Sequence, residues 1–155
     1  MNIEHDIIGK YVERMLNRKC RRLAEALGAD PGRVSLQGPD VFLRPYQAGP
    51  MAMILQELFT NSRKHGALNP GGSVAISWTR RDAPPGEEPL TAIEFLWDET
   101  LDSPPPRPPG RDQVSGTGID LIRGLAAAEL RGSAEFSFGP TSVRCSITIF
   151  KPARE

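Results

Sequence analysis

The chain has 155 residues, with 19 basic and 19 acidic side chains and a formal net charge of zero at pH 7. That length suits one domain with a real core and is too short for two comfortable ones. With no basic block, nucleic acid is not favoured as the main partner, and no run approaches the ~20 apolar residues needed to cross a bilayer. The start, Met1-Asn2-Ile3-Glu4-His5-Asp6, does not read as a signal peptide. Cys20 and Cys145 lie far apart, as free thiols of a reducing cytoplasm would, and no Cys or His pair has zinc-ligand spacing.

From Asp6 to Leu27, the residues Ile7, Ile8, Tyr11, Val12, Met15, Leu16 and Leu23 recur at three- and four-residue steps. This predicts an amphipathic helix closed by Gly28 and the turn Asp30-Pro31-Gly32. Arg33 to Gln37 and Asp40 to Arg44 read as short strands joined at Gly38-Pro39, and a helix follows from about Tyr46 to His65, ended by Gly66. After the turn Asn69-Pro70-Gly71-Gly72, Val74, Ile76 and Trp78 alternate as a half-buried strand should. Asp82 to Pro89 reads as a hairpin-like loop, and Leu90 to Trp97 as the returning strand. The Pro-rich stretch between Thr100 and Ser115 can form neither helix nor sheet core. Thr117 to Leu130 predicts a helix with Ile119, Ile122, Leu125 and Ala126 inward. Two strands, Ser133 to Phe138 and Ser142 to Phe150, meet at Gly139-Pro140. There is no internal repeat. That order implies an α/β two-layer sandwich, a mixed sheet with helices packed on one face.

The most informative stretch is Glu57-Leu58-Phe59-Thr60-Asn61-Ser62-Arg63-Lys64-His65-Gly66-Ala67-Leu68. At ~100° per residue, Glu57, Asn61, Lys64 and His65 share one stripe, with Ala48, Ala52, Leu55, Phe59 and Ser62 roughly opposite. A carboxylate, a carboxamide and an ammonium on one face suit a magnesium-bound polyphosphate. Glu orients water or accepts a proton, Asn offers a hard oxygen to Mg²⁺, and Lys neutralises phosphate charge. Taken alone, the same stripe also reads as an ordinary solvated helix face.

The stretch resembles the N-box of the histidine-kinase-like ATPases (the Bergerat or GHKL fold), and within them the HWE-like branch of sensor histidine kinases. That N-box runs His-Glu-Leu-x-x-Asn-Ala-x-Lys-Tyr-Gly-Ala-Leu, and Glu57, Leu58, Asn61, Lys64, Gly66, Ala67 and Leu68 match it. Gln56 stands where His is usual, Ser62 where Ala is, and His65 where Tyr is. Trp97-Asp98-Glu99 supplies the branch's Trp-x-Glu, and Gly116-Thr117-Gly118 its later Gly-x-Gly. Gly-Gly-Pro is expected after the acidic motif, but Leu101-Asp102-Ser103-Pro104 is found. The likeness covers roughly residues 33–151, giving a division into an N-terminal helical lead, 1–30, and a catalytic domain, 31–155.

The resemblance implies an ATP-binding catalytic domain of a two-component histidine kinase, passing the γ-phosphoryl to a histidine on another domain or chain. It assigns Asn61 to Mg²⁺, Glu57 to the catalytic or water-orienting carboxylate, and Lys64 and His65 to phosphate. Glu99 would accept from the adenine amino group, with Asp98 its rival, while Trp97 reads more simply as a buried strand aromatic. Gly116, Thr117 and Gly118 would bring backbone N–H groups to the phosphates. Residues 100–115 would form the nucleotide lid, and Arg107, Arg111 and Arg123 could reach phosphates, though each reads more simply as solvated. The implied partners are ATP, a phosphoacceptor domain and, indirectly, a response regulator. The acceptor hairpin's own motif is not found, and His5 does not fit that role. Two other readings of the same fold stand beside this one: a degenerate docking adaptor, suggested by Gln56 and the missing glycines, and an anti-sigma-factor-type serine kinase.

Overall fold

The computed structural model describes residues 14–68, 71–82, 86, 90–104 and 117–152, and the statements that follow concern these. The first helix, α1 (Leu16–Ala26), is followed by a 3₁₀ turn at Pro31–Arg33 and by β1 (Val34–Gln37). Then come α2 (Pro45–His65), β2 (Ser73–Asp82), β3 (Leu90–Thr100), α3 (Thr117–Ala128), β4 (Ser133–Phe138) and β5 (Ser142–Pro152). The strands form one sheet in the order β1-β2-β3-β5-β4. β1 runs parallel to β2, and every other pairing is antiparallel. This is the mixed sheet of an α/β sandwich.

Pleat alternation decides which residues meet the helices. Ile76, Trp97, Cys145 and Phe136 are aligned across β2, β3, β5 and β4, as are Trp78, Phe95, Ile147 and Ala134. These rows lie in one core with Met51, Ile54, Leu55, Leu58 and Phe59 of α2 and with Ile122, Ala126 and Leu130 from α3 and its end. The opposite face carries Ser77, Leu96, Ser146 and Glu135 in register, along with Ala75, Asp98, Arg144 and Ser137. Among the described residues, helices therefore cover one face only.

α2 begins with Pro at its first position, where the absent N–H breaks no helical bond. Buried Gln47 ties the helix start to the last strand, its Nε2 donating to the Phe150 carbonyl at 2.8 Å. Arg63 and Lys64 bring positive charge to the last turn, beside the helix's negative dipole end. α1 ends as its Gly28 predicts: φ is +71°, and its N–H bonds the Glu25 carbonyl at 3.0 Å.

Two sequence expectations fail at the start of the chain. The continuous helix expected over Asp6–Leu27 is interrupted at Arg14 and Met15, and its described part runs from Leu16; residues 1–13, His5 among them, lie outside the described residues. Met15 is extended (φ −73°, ψ 128°) and bridges Phe42. The reason is competition for backbone groups: Leu16 N–H bonds Val41 O at 3.0 Å, and Leu43 N–H bonds Arg14 O at 2.9 Å. The same pairing explains why Asp40–Arg44 is no strand of the sheet. It holds buried Val41 and Leu43 against the entry to α1 rather than beside β1. Leu16 and Cys20 then join the domain's core. Smaller differences are that α3 ends at Ala128 and β5 runs on to Pro152.

Candidate functional site

The second half of α2 has the two faces that its sequence predicts. Leu55, Phe59 and Ser62 are fully buried, whereas Glu57 and Asn61 are half-buried and Lys64 and His65 are exposed. What faces this stripe is α3. A Cβ placed on Gly118 would lie 3.0 Å from Glu57 Oε2 and 3.3 Å from Asn61 Nδ2. The first turn of α3 therefore comes against Glu57 and Asn61 at backbone distance, which only a residue without a side chain allows comfortably. A helix start carries unpaired N–H groups and a partial positive charge. Glu57, Asn61 and the backbone of Gly118 are thus brought together, with Lys64 and His65 farther along the same stripe.

Thr117 opens α3, while Gly116, Arg107 and Arg111 lie outside the described residues, as do residues 105–115 of the expected lid. Arg123 is placed elsewhere than a phosphate site: its guanidinium lies over the Phe136 ring, 5.7 Å from the centroid. Beyond Thr100, Leu101 is anchored by its N–H on Thr141 O at 2.8 Å and packs against the core. Asp102 then fills the space beside Gly71, whose φ is +102°; a Cβ there would meet the carboxylate at 2.5 Å.

Asp98 and Glu99, rivals in the sequence, are separated by the pleat. Asp98 is on the helix-free face, paired with Arg144 at 3.0 Å, so the structure does not bring it to the site. Glu99 is 4 % exposed beneath the helical layer. Its Oε1 accepts the Ala67 N–H at 3.0 Å, and its Oε2 accepts the Trp97 indole N–H at 2.9 Å. Trp97 is wholly buried and meets Phe59 of α2 edge-to-face, with centroids 4.8 Å apart at 87°.

Sequence reasoning missed this lock. Gly66, taken as a helix stop, also leaves the room that Glu99 needs, since a Cβ there would stand 2.3 Å from Oε1. Nothing in the local pattern signals a contact between residues 32 positions apart. The one available hint was an indole two residues before a carboxylate on a strand, which places both on the same face.

Among the described residues, no group of three or more His, Cys, Asp or Glu side chains is arranged to hold a metal ion. A cation at Asn61 would therefore draw most of its ligands from phosphate oxygens and water, as Mg²⁺ does readily. The donor set fits that arrangement: one amide oxygen, a neighbouring carboxylate and a bare helix start. Both thiols are buried, and burial pushes the pKa of each up to about 12. They are poor nucleophiles at neutral pH. No described helix is long and apolar enough to cross a membrane.

No family model matches the chain. Over 118 residues it is 33% identical to the blue-light-activated histidine kinase 1 of Erythrobacter litoralis (strain HTCC2594), a match covering 76% of this chain and 30% of the relative. The chain thus spans about a third of that relative's length. Its fold is similar to the histidine kinase domain of the Erythrobacter litoralis EL346 blue-light-activated kinase (TM-score 0.58, 18% identity, 86% of this chain and 62% of that one). It is also similar to the nucleotide-free catalytic domain of the histidine kinase ThkA (TM-score 0.56, 14% identity, 90% of this chain and 94% of that one). The sequence match and the mixed-sheet sandwich point the same way: the chain is similar in sequence to a histidine kinase and has the fold of histidine kinase catalytic domains.

Proposed function

We propose that the chain binds Mg²⁺–ATP between α2, the start of α3 and β3, and hands the γ-phosphoryl to a histidine on another domain or chain of a cytoplasmic two-component system. The observation that carries this reading is the approach of Gly118 to Glu57 and Asn61. It sets a carboxylate, an amide oxygen and a helix start around one space, the combination that a metal–polyphosphate requires. Asn61 would hold Mg²⁺, which when bound would neutralise phosphate charge and align the oxygens. Lys64 and His65 would meet the phosphates, joined by the N–H groups of residues 116–118. Glu99 would accept from the adenine amino group, because an ionised carboxylate only accepts and so disfavours an oxo-purine edge. In transfer, the bond between the γ-phosphorus and the bridging oxygen breaks as a P–N bond forms to the acceptor imidazole. ADP leaves, and Glu57 would take the imidazole proton. The chain's share of catalysis is positioning and charge neutralisation.

A docking adaptor of the same fold is the second reading. Leu101 and Asp102 favour it, being held in place where this family's pattern leads one to expect mobile glycines. Incubation with γ-labelled ATP separates the two when an HWE-type dimerisation and phosphoacceptor hairpin is added. The kinase reading expects an unlabelled chain by itself and acid-labile label on the added hairpin. Tight nucleotide-independent docking without label would establish the adaptor. Stoichiometric acid-labile label on the chain itself would contradict transfer to a separate domain.

A further inference from the structure

Among the described residues, Glu99 is the one charged side chain in the fully buried class. A carboxylate taken out of water needs donors on its oxygens, and here both are neutral N–H groups. The two come from opposite directions. The Ala67 N–H, just past the end of α2, holds Oε1 at 3.0 Å, and the Trp97 indole N–H holds Oε2 at 2.9 Å. Neither donor is free to wander. Ala67 follows the helix cap at Gly66, and the Trp97 ring is wedged edge-on against Phe59 of that same helix. Two donors on two different oxygens fix the rotation of the carboxylate about its last bond, which one donor would leave loose. Each oxygen keeps a second lone pair. A phenyl ring would fill part of the Trp97 volume but has no polar hydrogen; the indole does, and Nε1 reaches the residue two positions along the same face.

We infer that Trp97 is a positioning residue for nucleobase selection. Its indole N–H clamps the Glu99 carboxylate so that the remaining lone pairs form a rigid acceptor for a purine 6-amino group and refuse a 6-oxo group. This rests on the reading of Glu99 as the base-facing carboxylate. A purely structural Trp97 would make a different claim: losing its N–H would weaken the fold and change binding of all nucleotides alike. Inosine triphosphate separates the two, since it has the same ribose and triphosphate as ATP but carries a 6-oxygen and an N1–H where ATP has the 6-amino group and a bare N1.

The test is calorimetric titration of the full chain and of Trp97→Phe with Mg²⁺–ATP and with Mg²⁺–ITP. The parent should prefer ATP. In Trp97→Phe, ATP binding should weaken about 10-fold while ITP binding changes by less than about 2-fold, so that the preference largely disappears. Should Trp97→Phe not fold, the parent's own indole N–H resonance serves, assigned with the help of Trp78→Phe. It should shift on adding Mg²⁺–ATP and stay in place with Mg²⁺–ITP. A folded Trp97→Phe that keeps the parent's preference, or an indole resonance that moves equally with both nucleotides, overturns the inference alone. A parent that binds neither nucleotide, or both equally, overturns the base-facing reading of Glu99 and this inference with it.

Discussion

On β3, Glu99 points beneath the helices and Asp98 points away from them. Glu99 is 4 % exposed and held by two N–H groups, while the Asp98 side chain is 32 % exposed and answers a guanidinium that is itself 56 % exposed. Between them there is one step of chain and half a turn of pleat. The helix-covered face converts a carboxylate into a fixed structural acceptor, because any donor withdrawn there leaves a polar atom unpaired away from water. On the open face, water replaces whatever is lost, and a charge pair contributes little. Chemistry that needs a rigid group can be built on the first face and is poorly served by the second.

Gly66→Ala strikes the covered face hardest. The new methyl would lie 2.3 Å from Glu99 Oε1 and 3.0 Å from the Ser62 Cα, so the carboxylate or the helix end must move. A loss of about 2–3 kcal/mol is expected in denaturant unfolding. An unchanged midpoint would mean that Glu99 is not locked at all. Glu99→Gln comes next. Its amide can accept from one of the two N–H donors but must turn an NH₂ toward the other, costing about 1–3 kcal/mol. Equal stability to the parent, by the same measurement, would break the contrast with Asp98.

Cys145, in register with Trp97, and Cys20 on α1 extend the comparison to pH. Burial raises each thiol from 9.0 to about 12, so the folded state disfavours ionisation that the unfolded chain permits. The stabilisation is fully present below pH 9 and is lost as pH rises from there toward 12, at about 1.4 kcal/mol per unit for each thiol. Thermal unfolding from pH 7 to 11 checks this, and Cys145→Ala should flatten the decline. The smallest effect is expected from Asp98→Asn, which removes only an exposed ion pair: under about 0.5 kcal/mol, and no change in nucleotide binding. A large loss of binding would return Asp98 to the site.

Much of this division was legible in the sequence, because alternation exposes a sheet with one covered face. Val74, Ile76 and Trp78 announce β2, and the stripe of Glu57 and Asn61 announces the polar, less buried side of α2. Local pattern did not disclose what depends on distant partners. Met15 fits a helical period, but its neighbours' backbone groups are taken by Val41 and Leu43. Asp40–Arg44 alternates like a strand and finds no sheet neighbour. Asp98 and Glu99 are chemically alike in a one-dimensional string, and only the position of the helices tells them apart. Trp97 was readable as a buried aromatic, whereas its second task as a donor appears only once the Glu99 carboxylate is in place.

The central claim is that Glu57, Asn61 and the start of α3 enclose a site for magnesium-bound nucleotide. Calorimetric titration of Mg²⁺–ATP into the chain and into Asn61→Ala tests it most directly. Asn61 is half-buried on the polar stripe, so the substitution should shift unfolding by under about 1 kcal/mol while abolishing magnesium-dependent binding. Equal ATP affinity in Asn61→Ala and parent would show that this side of α2 is a solvated surface and no site.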